Sequence, residues 1–291
     1  MANSKDYGPS GSWRKRASAL DAIVLGTNEP LSRTPRDSFD VLCWNIERGH
    51  RIGEIARYLS SFDLDVCLLQ EADRFSRRTR YLDIAAALAE TLHCNWAFAA
   101  EFEELAQGSP SIPAFHGNAI LSPAPIEKPR IIRFRNQPHD WGRIKIGLAW
   151  LQPRIGGRLA LIAEIPIGRS AAVFYNLHLE SRATDRERLM QVEEVLTDIS
   201  SRYEEKTPIV LAGDLNTAEG ERSRVVQSIL SSGFQDAFSG APPASTKVKR
   251  KKRLDWVFVR HLAVVDACVL PITVSDHFPL WVRIKCQHAL P

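Results

Sequence analysis

The sequence Pro208-Ile-Val-Leu-Ala-Gly-Asp-Leu-Asn-Thr217 is an apolar run that ends in Asp214 and, two positions later, in Asn216. Side chains of an extended chain alternate between two faces, so these two polar groups would point the same way from the end of a buried strand. A carboxylate and a carboxamide placed there can hold a metal ion, orient a water molecule or bind a phosphate oxygen. Gly, Asp and Asn also favour turns, so this stretch alone allows either a functional site or a turn.

Other apolar runs carry polar side chains at or beside one end in the same way. We predict strands over these runs from their β-branched and aromatic content. The polar residues at their ends are Asn45, Gln70, Glu71, Asn118, Asn176, His178, Glu180, Asp255, Asp276 and His277. A single histidine on a strand is usually structural. His178, however, shares one strand face with Asn176 and Glu180, which favours a functional role.

Amphipathic helices are predicted between the strands, from apolar residues spaced three and four positions apart. They cover residues 52–59, 81–92, 189–199 and 225–230. A further short helix is expected at Ala19 to Leu25, and a hairpin is expected from Ile146 to Gln152 and Leu159 to Ile165. Strands, helices and hairpins alternate without a fixed repeat, which predicts a mixed α/β or α+β fold.

The composition indicates one globular domain. The chain has 291 residues, of which 44% are hydrophobic, and this is enough for one large core. We assign residues 1–36, which are rich in Ser, Gly, Pro and Arg, to a tail and linker, and residues 37–291 to the folded domain. The five cysteines are odd in number and widely spaced, which indicates small core residues in a reducing compartment.

Several classes of protein are disfavoured. No run approaches the ~20 apolar residues of a membrane span. Asp21 interrupts the apolar segment that follows Arg14-Lys-Arg16, so the N-terminus is not typical of a signal peptide, and we expect a cytoplasmic protein. The sequence has no glycine-rich phosphate loop, serine elbow or paired-cysteine metal motif.

The polar residues at the strand ends form an oxygen-rich set. Its members are Asn45, Glu71, His178, Asp214, Asn216, Asp255, Asp276 and His277. Hard cations such as Mg²⁺ and Mn²⁺ take carboxylate and carbonyl ligands, so this set suits them better than it suits zinc. A hard cation together with carboxylates indicates phosphoryl chemistry. The cation stabilises charge, a carboxylate orients the attacking water and hydrogen-bond donors hold the phosphate oxygens.

Two segments concentrate positive charge, although the whole chain is only mildly basic, with 38 Lys and Arg against 34 Asp and Glu. In Lys247–Arg253 six of seven residues are cationic, and this segment leads directly to Asp255. The second segment, just after Glu71, contains Arg74, Arg77, Arg78 and Arg80. Charge runs are usually solvated loops. Two of them beside one expected site favour a polyanionic substrate.

The order of these motifs resembles that of the endonuclease/exonuclease/phosphatase superfamily, which includes deoxyribonuclease I, exonuclease III, neutral sphingomyelinases and inositol polyphosphate 5-phosphatases. The motifs, in order over residues 39–280, are Asn45, Gln70-Glu71, Asn176-Leu-His178, Gly213-Asp-Leu-Asn216, Arg253-Leu-Asp255 and Ser275-Asp-His277. The resemblance implies an α+β sandwich of two packed mixed β-sheets flanked by helices. It also implies two similar halves, with the site at one end between the sheets.

The resemblance further implies a role for each residue of the metal site. Glu71 would be the principal ligand of Mg²⁺ or Mn²⁺, and Asn45 and Asp276 would assist it.

It also implies the catalytic residues. Asp214 would orient or deprotonate the attacking water, and Asn216 and His178 would donate to the phosphate. His277, paired with Asp255, would contact the scissile phosphate or assist proton transfer, because a carboxylate fixes an imidazole and favours its charged form. Which of Asp214 and His277 is the general base stays open.

The substrate is less determined, because it depends on loops that match no subfamily. We predict a monomeric nuclease acting on nucleic acid. The substrate-binding residues are predicted to be Asn118, Asn176, Arg78, Lys249 and Lys251. The first alternative is a sphingomyelinase-like or phosphoinositide-type phosphodiesterase or phosphatase, since Gly117–Ser122 and Asn176–Glu180 also resemble lipid phosphodiesterases. The second is a noncatalytic binding module on the same fold.

Overall fold

Two β-sheets packed face to face contain most of the apolar runs of the sequence. The computed structural model describes residues 19–28, 36–138, 153–168 and 170–286. Within these residues one sheet has eight strands and the other has six. Helices cover the outer face of each sheet, so the predicted α+β sandwich of two mixed sheets flanked by helices is confirmed.

The two sheets draw their strands from different parts of the chain. The first contains β1 (Ile23–Gly26), β2 (Ser38–Arg48), β3 (Val66–Arg74), β4 (Asn95–Glu104), β5 (Phe115–Ser122), β7 (Arg154–Gly156), β13 (Leu262–Val269) and β14 (Leu280–Cys286). Their order is β1-β4-β5-β3-β2-β14-β13, with β7 paired to β4. The second contains β6 (Glu127–Arg133), β8 (Leu159–Ile167), β9 (Ser170–His178), β10 (Ile209–Asp214), β11 (Gln235–Asp236) and β12 (Asp255–Arg260), in the order β11-β12-β10-β9-β8-β6.

Within the described residues, four helices of eight or more residues lie on the outer faces. They are α1 (Ile52–Leu59) and α2 (Ile84–Leu92) on the first sheet, and α3 (Asp185–Arg202) and α4 (Arg224–Ser231) on the second. Short 3₁₀ turns occupy Arg77–Thr79 and Gly220–Arg222. Helix α3 begins with a capping box, in which Thr184 and Glu187 bond to each other's backbone N–H. No helix in the described ranges is long and apolar enough to cross a membrane.

The central strands are buried on both faces, which explains their nearly continuous apolar sequence. Along β2, Val41 and Cys43 face the second sheet, whereas Leu42 and Trp44 face the helices. Along these central strands, polar side chains can therefore reach solvent only at or near the strand ends.

Each sheet contains the same five-strand arrangement. The strands β14-β2-β3-β5-β4 in the first sheet correspond to β8-β9-β10-β12-β11 in the second, and in each set only the second and third strands are parallel. Helices α1 and α3 join the two parallel strands in their respective halves. The end of β2 therefore corresponds to the end of β9, and the end of β3 to the end of β10.

Three expectations from the sequence need comment. The short helix expected at Ala19–Leu25 is wrong beyond its first residues, because Ile23–Gly26 form β1 and pair with the edge strand β4. β4 itself runs past the predicted Trp96–Ala100 into the acidic residues up to Glu104. The predicted strand at Ile146–Gln152 lies outside the described residues, while its expected partner is present as β8.

Candidate active site

Six of the polar residues predicted from the strand ends meet at one end of the sandwich: Asn45, Glu71, His178, Asp214, Asp255 and His277. Asn45 pairs in register with Gln70, which precedes Glu71, at the point where the pairing of the parallel strands β2 and β3 becomes irregular. In the second sheet Asp214 is the register partner of His178 on β9 and of Asp255 on β12. Asn45 of the first sheet contacts Asp214 of the second, so the two central strand pairs meet at this point. His277 completes the set from the segment before β14.

One oxygen atom, Asp214 Oδ2, lies at the centre of this group. It is 3.1 Å from Asn45 Nδ2, 3.6 Å from His277 Nε2 and 3.9 Å from His178 Nε2. Asp214 is buried, and its second oxygen accepts a hydrogen bond from the backbone N–H of Asn216 at 3.0 Å. A buried carboxylate surrounded by three nitrogen groups can accept a proton or hold a water molecule at a fixed position.

The Asp214–Asn216 stretch forms a turn at the end of a buried strand. β10 ends at Asp214, and Asn216 follows in a turn with φ +52°. The Asn216 side chain donates to the backbone oxygen of Leu179 at 3.0 Å. The two polar residues are therefore neighbours through a turn, and the prediction of one shared strand face is wrong. The preceding Gly213, at φ +150°, lies so close to β9 that a Cβ would be 1.8 Å from the Leu177 oxygen.

His277 is held by a buried carboxylate. Its Nδ1 is 2.8 Å from Asp255 Oδ2, and both side chains are buried. Burial by itself would lower the pKa of His277, but the charges of Asp255 and Asp214 raise it to about 9. The backbone oxygen of His277 also accepts a hydrogen bond from Trp44 Nε1 at 2.9 Å, so the ring is fixed relative to β2. At neutral pH His277 is thus an oriented cationic donor.

A bulge in β3 determines the position of Glu71. The register with β5 shifts between Leu69 and Ala72, and Glu71 in this bulge has φ +56°. Its Oε1 lies 3.4 Å from Asn45 Nδ2, so the Asn45 amide nitrogen contacts both the Glu71 and the Asp214 carboxylate. Burial would raise the pKa of Glu71, but nearby His116, His178, Arg48 and Arg158 hold it well below its ordinary value. Glu71 is therefore ionised.

The residues around Glu71 fit a divalent cation. Glu71 is an ionised carboxylate for which the described part of the chain supplies no salt-bridge partner within 4.0 Å. Glu71 and Asp214 offer the carboxylate oxygens that hard cations prefer, and the Asn45 amide lies between them, with its nitrogen toward both and its oxygen bonded to the Glu47 backbone N–H. Asp214, Asp255 and His277 also each offer one ligand atom, and these three atoms lie within 4.8 Å of one another. Of these two places, the Glu71 side could hold a cation, because Asp255 and His277 already bond to each other.

Asp276 is not brought to Glu71. Its half-exposed carboxylate pairs with Lys247 and lies 3.8 Å from His277 Nε2. The prediction that Asp276 binds the metal with Glu71 conflicts with this position, since a lysine ammonium already occupies one of its oxygens.

Two of the predicted substrate-binding residues instead connect the sheets. Asn176 is buried, accepts from Gln70 Nε2 at 2.7 Å and donates to the backbone oxygens of Leu69 and Ala119. Asn118 is also buried, and its Nδ2 lies 3.4 Å from the Leu159 oxygen of the other sheet. Neither side chain is placed to touch a substrate in this structure. Their amides satisfy backbone groups where the strands approach each other across the core.

The basic segments are less available than their sequence suggests. Arg78 forms two hydrogen bonds to Asp73, at 2.6 and 2.8 Å, so the prediction that it binds substrate conflicts with a buried ion pair. Arg74 pairs with Asp83 at 2.6 Å. Arg253 is buried with its guanidinium 3.5 Å from the Trp256 ring.

Lys249 and Lys251 remain exposed, as do Arg250 and Lys252. Their loop is attached to the site, because Val248 N donates to the Asp276 oxygen at 3.0 Å and Lys247 forms a β-bridge with His277. Four exposed cations therefore lie on a loop whose backbone is bonded to the Asp276–His277 segment.

Sequence reasoning missed a buried group behind His178. His178 Nδ1 lies 2.8 Å from Arg158 Nη1 and 3.1 Å from Glu101 Oε2. Glu101 is the extra residue of a bulge in β4, where the register with β5 shifts between Ala100 and Phe102. An available signal was the continuation of the Trp96–Ala100 run into a charged residue. Arg158 follows two glycines and gave no such signal.

A third imidazole, also missed, is that of His116, whose charge helps to lower the pKa of Glu71. His116 Nδ1 is 2.9 Å from Asp73 Oδ1, and both residues are buried. Three histidines with fixed rings therefore surround the two carboxylates Glu71 and Asp214.

Comparisons with known proteins agree with this architecture. Residues 42–277 match the model of the endonuclease/exonuclease/phosphatase family. A UPF0294 protein of Yersinia pseudotuberculosis is 25% identical over 281 residues, which are 92% of this chain and 91% of the relative. An endonuclease/exonuclease/phosphatase from Beutenbergia cavernae has a TM-score of 0.65 at 20% identity, over 87% of this chain and 73% of that one. The human Nocturnin catalytic domain with bound sulfate has a TM-score of 0.67 at 18% identity, over 92% and 98%.

Proposed function

The chain belongs to the endonuclease/exonuclease/phosphatase family, whose members are generally phosphoester hydrolases, and we propose that it is a divalent-metal-dependent phosphodiesterase that cleaves nucleic acid. The observation that carries the proposal is the position of Asp214 Oδ2, within 3.9 Å of nitrogen atoms of Asn45, His178 and His277. Asp214 as the base then lies beside His178 and His277, the two donors to the phosphate. The cation site at Glu71 adjoins them.

Each residue has a distinct task in this mechanism. Glu71 and Asn45 would hold a divalent cation, which supplies positive charge to the phosphate and leaving oxygens when bound. Asp214 orients the attacking water and takes its proton as the oxygen attacks phosphorus. His178 and His277 donate hydrogen bonds to the nonbridging oxygens, where negative charge grows in the transition state. The bond from phosphorus to the leaving oxygen breaks on the side opposite the water.

His277 is suited to its task by its raised pKa. Because the Asp255 and Asp214 carboxylates raise that pKa to about 9 against the effect of burial, the imidazole is cationic at neutral pH and donates from Nε2. This favours Asp214 over His277 as the general base, since a protonated imidazole has no free lone pair to accept a proton.

The exposed cations favour nucleic acid as the substrate. Lys249, Arg250, Lys251 and Lys252 extend from the loop that is bonded to the backbone beside His277. A polyanion that places one phosphate at Asp214 can place neighbouring phosphates against these side chains, whereas a small phosphodiester cannot.

A substrate screen with metal tests the proposal. The protein is incubated with Mg²⁺ or Mn²⁺ and with bis(p-nitrophenyl) phosphate, DNA and RNA oligonucleotides, or sphingomyelin and phosphoinositide vesicles. We expect cleavage of the small diester and faster cleavage of an oligonucleotide, both abolished by EDTA. Preferential turnover of a lipid would replace nucleic acid as the substrate. Inactivity on every substrate with either metal would favour a noncatalytic binding module.

A further inference from the structure

Arg158 is a buried arginine that contacts Nδ1 of His178, the ring nitrogen that does not face Asp214. Its Nη1 amino group lies 2.8 Å from His178 Nδ1 and 2.8 Å from Glu101 Oε2. All three side chains are buried, with His178 at 1% exposure and Glu101 at 0%. One –NH₂ group therefore contacts both the Glu101 carboxylate and the His178 ring nitrogen, which are themselves 3.1 Å apart.

The chemistry of a guanidinium decides which nitrogen of His178 carries the proton. Arginine can only donate hydrogen bonds, so its contact with Nδ1 requires the lone pair of that nitrogen. A neutral ring that accepts at Nδ1 carries its proton on Nε2. Nε2 is the atom that faces Asp214 Oδ2 at 3.9 Å. We propose that Arg158 is a positioning residue that fixes His178 as the Nε2–H tautomer, a neutral donor aimed at the substrate phosphate; this rests on the function proposed above.

The other two imidazoles of the site are held in the opposite way. Asp255 bonds to Nδ1 of His277 and Asp73 to Nδ1 of His116, at 2.8 and 2.9 Å. A carboxylate can only accept, so in a neutral ring the proton stays on Nδ1 and Nε2 is left with a lone pair. Such a histidine donates from Nε2 only when it is charged. Of these three rings, His178 is the one that can donate from Nε2 without carrying a charge.

Arg158 is itself held rigidly. Its backbone N–H donates to Gln137 Oε1 at 3.0 Å, and its backbone oxygen accepts from Gln137 Nε2 at 2.9 Å. The guanidinium lies 5.3 Å from the centre of the Phe102 ring. A fixed arginine in this setting can impose one tautomer, whereas Glu101 alone would impose the other.

The direct test is ¹⁵N NMR of histidine-labelled full-length protein without metal, which distinguishes protonated from unprotonated ring nitrogens. His178 is assigned by its loss in His178→Gln. We expect Nε2–H as the dominant form in the wild type. In Arg158→Met, Glu101 draws the proton of the neutral ring to Nδ1, and the neutral Nε2–H form becomes the minor one. The double variant Arg158→Met/Glu101→Met should give intermediate populations, and Arg158→Lys should largely restore the wild-type form.

Arg154→Met is the matched control. Arg154 is also buried and lies 4.7 Å from the same Phe102 ring, but it pairs with Glu104 at 3.6 Å. Its replacement should leave the His178 spectrum unchanged. A wild-type spectrum dominated by Nδ1–H, or an unchanged tautomer in Arg158→Met, would overturn the proposal. If Arg158→Met does not fold, the wild-type spectrum and the double variant still decide.

Kinetics then separate positioning from folding. In folded Arg158→Met we expect kcat to fall roughly 10- to 100-fold with KM within about threefold, because the lost donor acts on charge that develops in the transition state. Arg158→Lys should recover most of kcat. An unchanged kcat with a confirmed tautomer change would overturn the positioning role alone. An inactive wild type would count against the proposed function and leave the tautomer result standing.

Discussion

At the scale of single residues, the site divides its tasks among side chains with different charge states. Glu71 is ionised and has no salt-bridge partner within 4.0 Å among the described residues, which suits it to a metal ion. Asp214 receives its contacts from three nitrogen groups, and His277 is kept cationic by Asp255. Groups with separated charge states can act as acid, base and metal ligand in one small volume at one pH.

The raised pKa of His277 predicts how activity depends on pH. Below about 9 the imidazole is charged and donates from Nε2; above that value the ring keeps only its Nδ1 proton, on Asp255. Activity should therefore persist through neutral pH and fall as the pH passes about 9. In Asp255→Asn the loss of the carboxylate charge lowers the pKa of His277, so the fall should move down by roughly 1 to 2 pH units.

The measurement is kcat/KM on bis(p-nitrophenyl) phosphate from pH 6 to 10. Asp266→Asn, on the exposed part of β13, is the control and should keep the wild-type profile. A basic limb at the same pH in Asp255→Asn would contradict the assignment of that limb to His277.

At the scale of elements, strand ends and bulges place the functional groups. The two parallel strands of each sheet run in the same direction, and this brings Asn45, His178 and Asp214 to one end of the sandwich. The strands β3 and β4, which flank β5, each contain a bulge. These bulges place Glu71 and Glu101 outside the regular strand pairing. Gly117 lies between the two bulges, where a Cβ would be 2.0 Å from the Ala99 oxygen, so only glycine fits.

The strand ends could be predicted from the sequence, but the contacts made by the bulged residues could not. A polar residue such as Asp214 stands out because it interrupts an apolar run. Glu101 becomes a partner of His178 only through a register shift and a contact across 77 positions. Asn176 looked like a site residue for the same reason as Asp214, yet it lies in the interior and bonds to Gln70. Periodicity predicts which face a side chain occupies, not whether that face meets solvent or another sheet.

The loop 247–253 predicts a salt-dependent contribution to nucleic-acid binding. Replacing Lys249, Arg250, Lys251 and Lys252 with serine should weaken oligonucleotide binding and lower the slope of log K against log salt. Each lost phosphate contact accounts for about 0.9 of that slope on duplex DNA, so the decrease should be at most roughly 3.6. Hydrolysis of bis(p-nitrophenyl) phosphate should stay within about threefold of wild type, since these residues do not touch Asp214.

A variant with the same change in net charge is the control. It replaces four exposed cations on other elements with serine: Arg57, Lys128, Lys206 and Lys285. Its salt slope should remain that of the wild type. Equal slopes in the loop variant and the wild type would remove this loop from the substrate-binding surface.

At the scale of the whole molecule, the site lies between two similar halves. The five-strand arrangement occurs once in each sheet, and each half contributes one carboxylate, Glu71 or Asp214, from the end of its corresponding strand. The fold class and the packing of two sheets could be predicted from the sequence because every central strand is apolar on both faces. The pairing of β1 with β4 could not, because a short edge strand carries little periodicity.

Buried charges that join the halves predict how the fold responds to acid. Burial would raise the pKa of Glu101, but the surrounding positive charge, that of Arg158 first, lowers it from 4.5 to about 2. A carboxylate whose pKa is lower in the folded state stabilises the fold above its unfolded pKa. This stability is lost as the pH falls from about 4.5 toward 2. A shift of this size corresponds to about 3 kcal/mol in the free energy of unfolding.

Urea unfolding of Glu101→Gln between pH 5 and 2 measures that contribution. The variant should be less stable than wild type at pH 5, and the difference should shrink by about 3 kcal/mol as the pH reaches 2. Glu54→Gln, which removes an exposed partner of Arg51, should follow the wild-type curve. Parallel curves for Glu101→Gln and wild type would show that Glu101 keeps an ordinary pKa.

The most direct test of the whole account is the metal-dependent cleavage of an oligonucleotide by Asp214→Asn, compared with Asp40→Asn. Asp40 is a buried carboxylate on β2, paired with Arg283 away from the site, so its variant controls for the loss of a buried charge. We predict that Asp214→Asn folds and loses at least ~100-fold in kcat, while Asp40→Asn keeps kcat within about threefold. Cleavage by folded Asp214→Asn at the wild-type rate would contradict a site centred on Asp214.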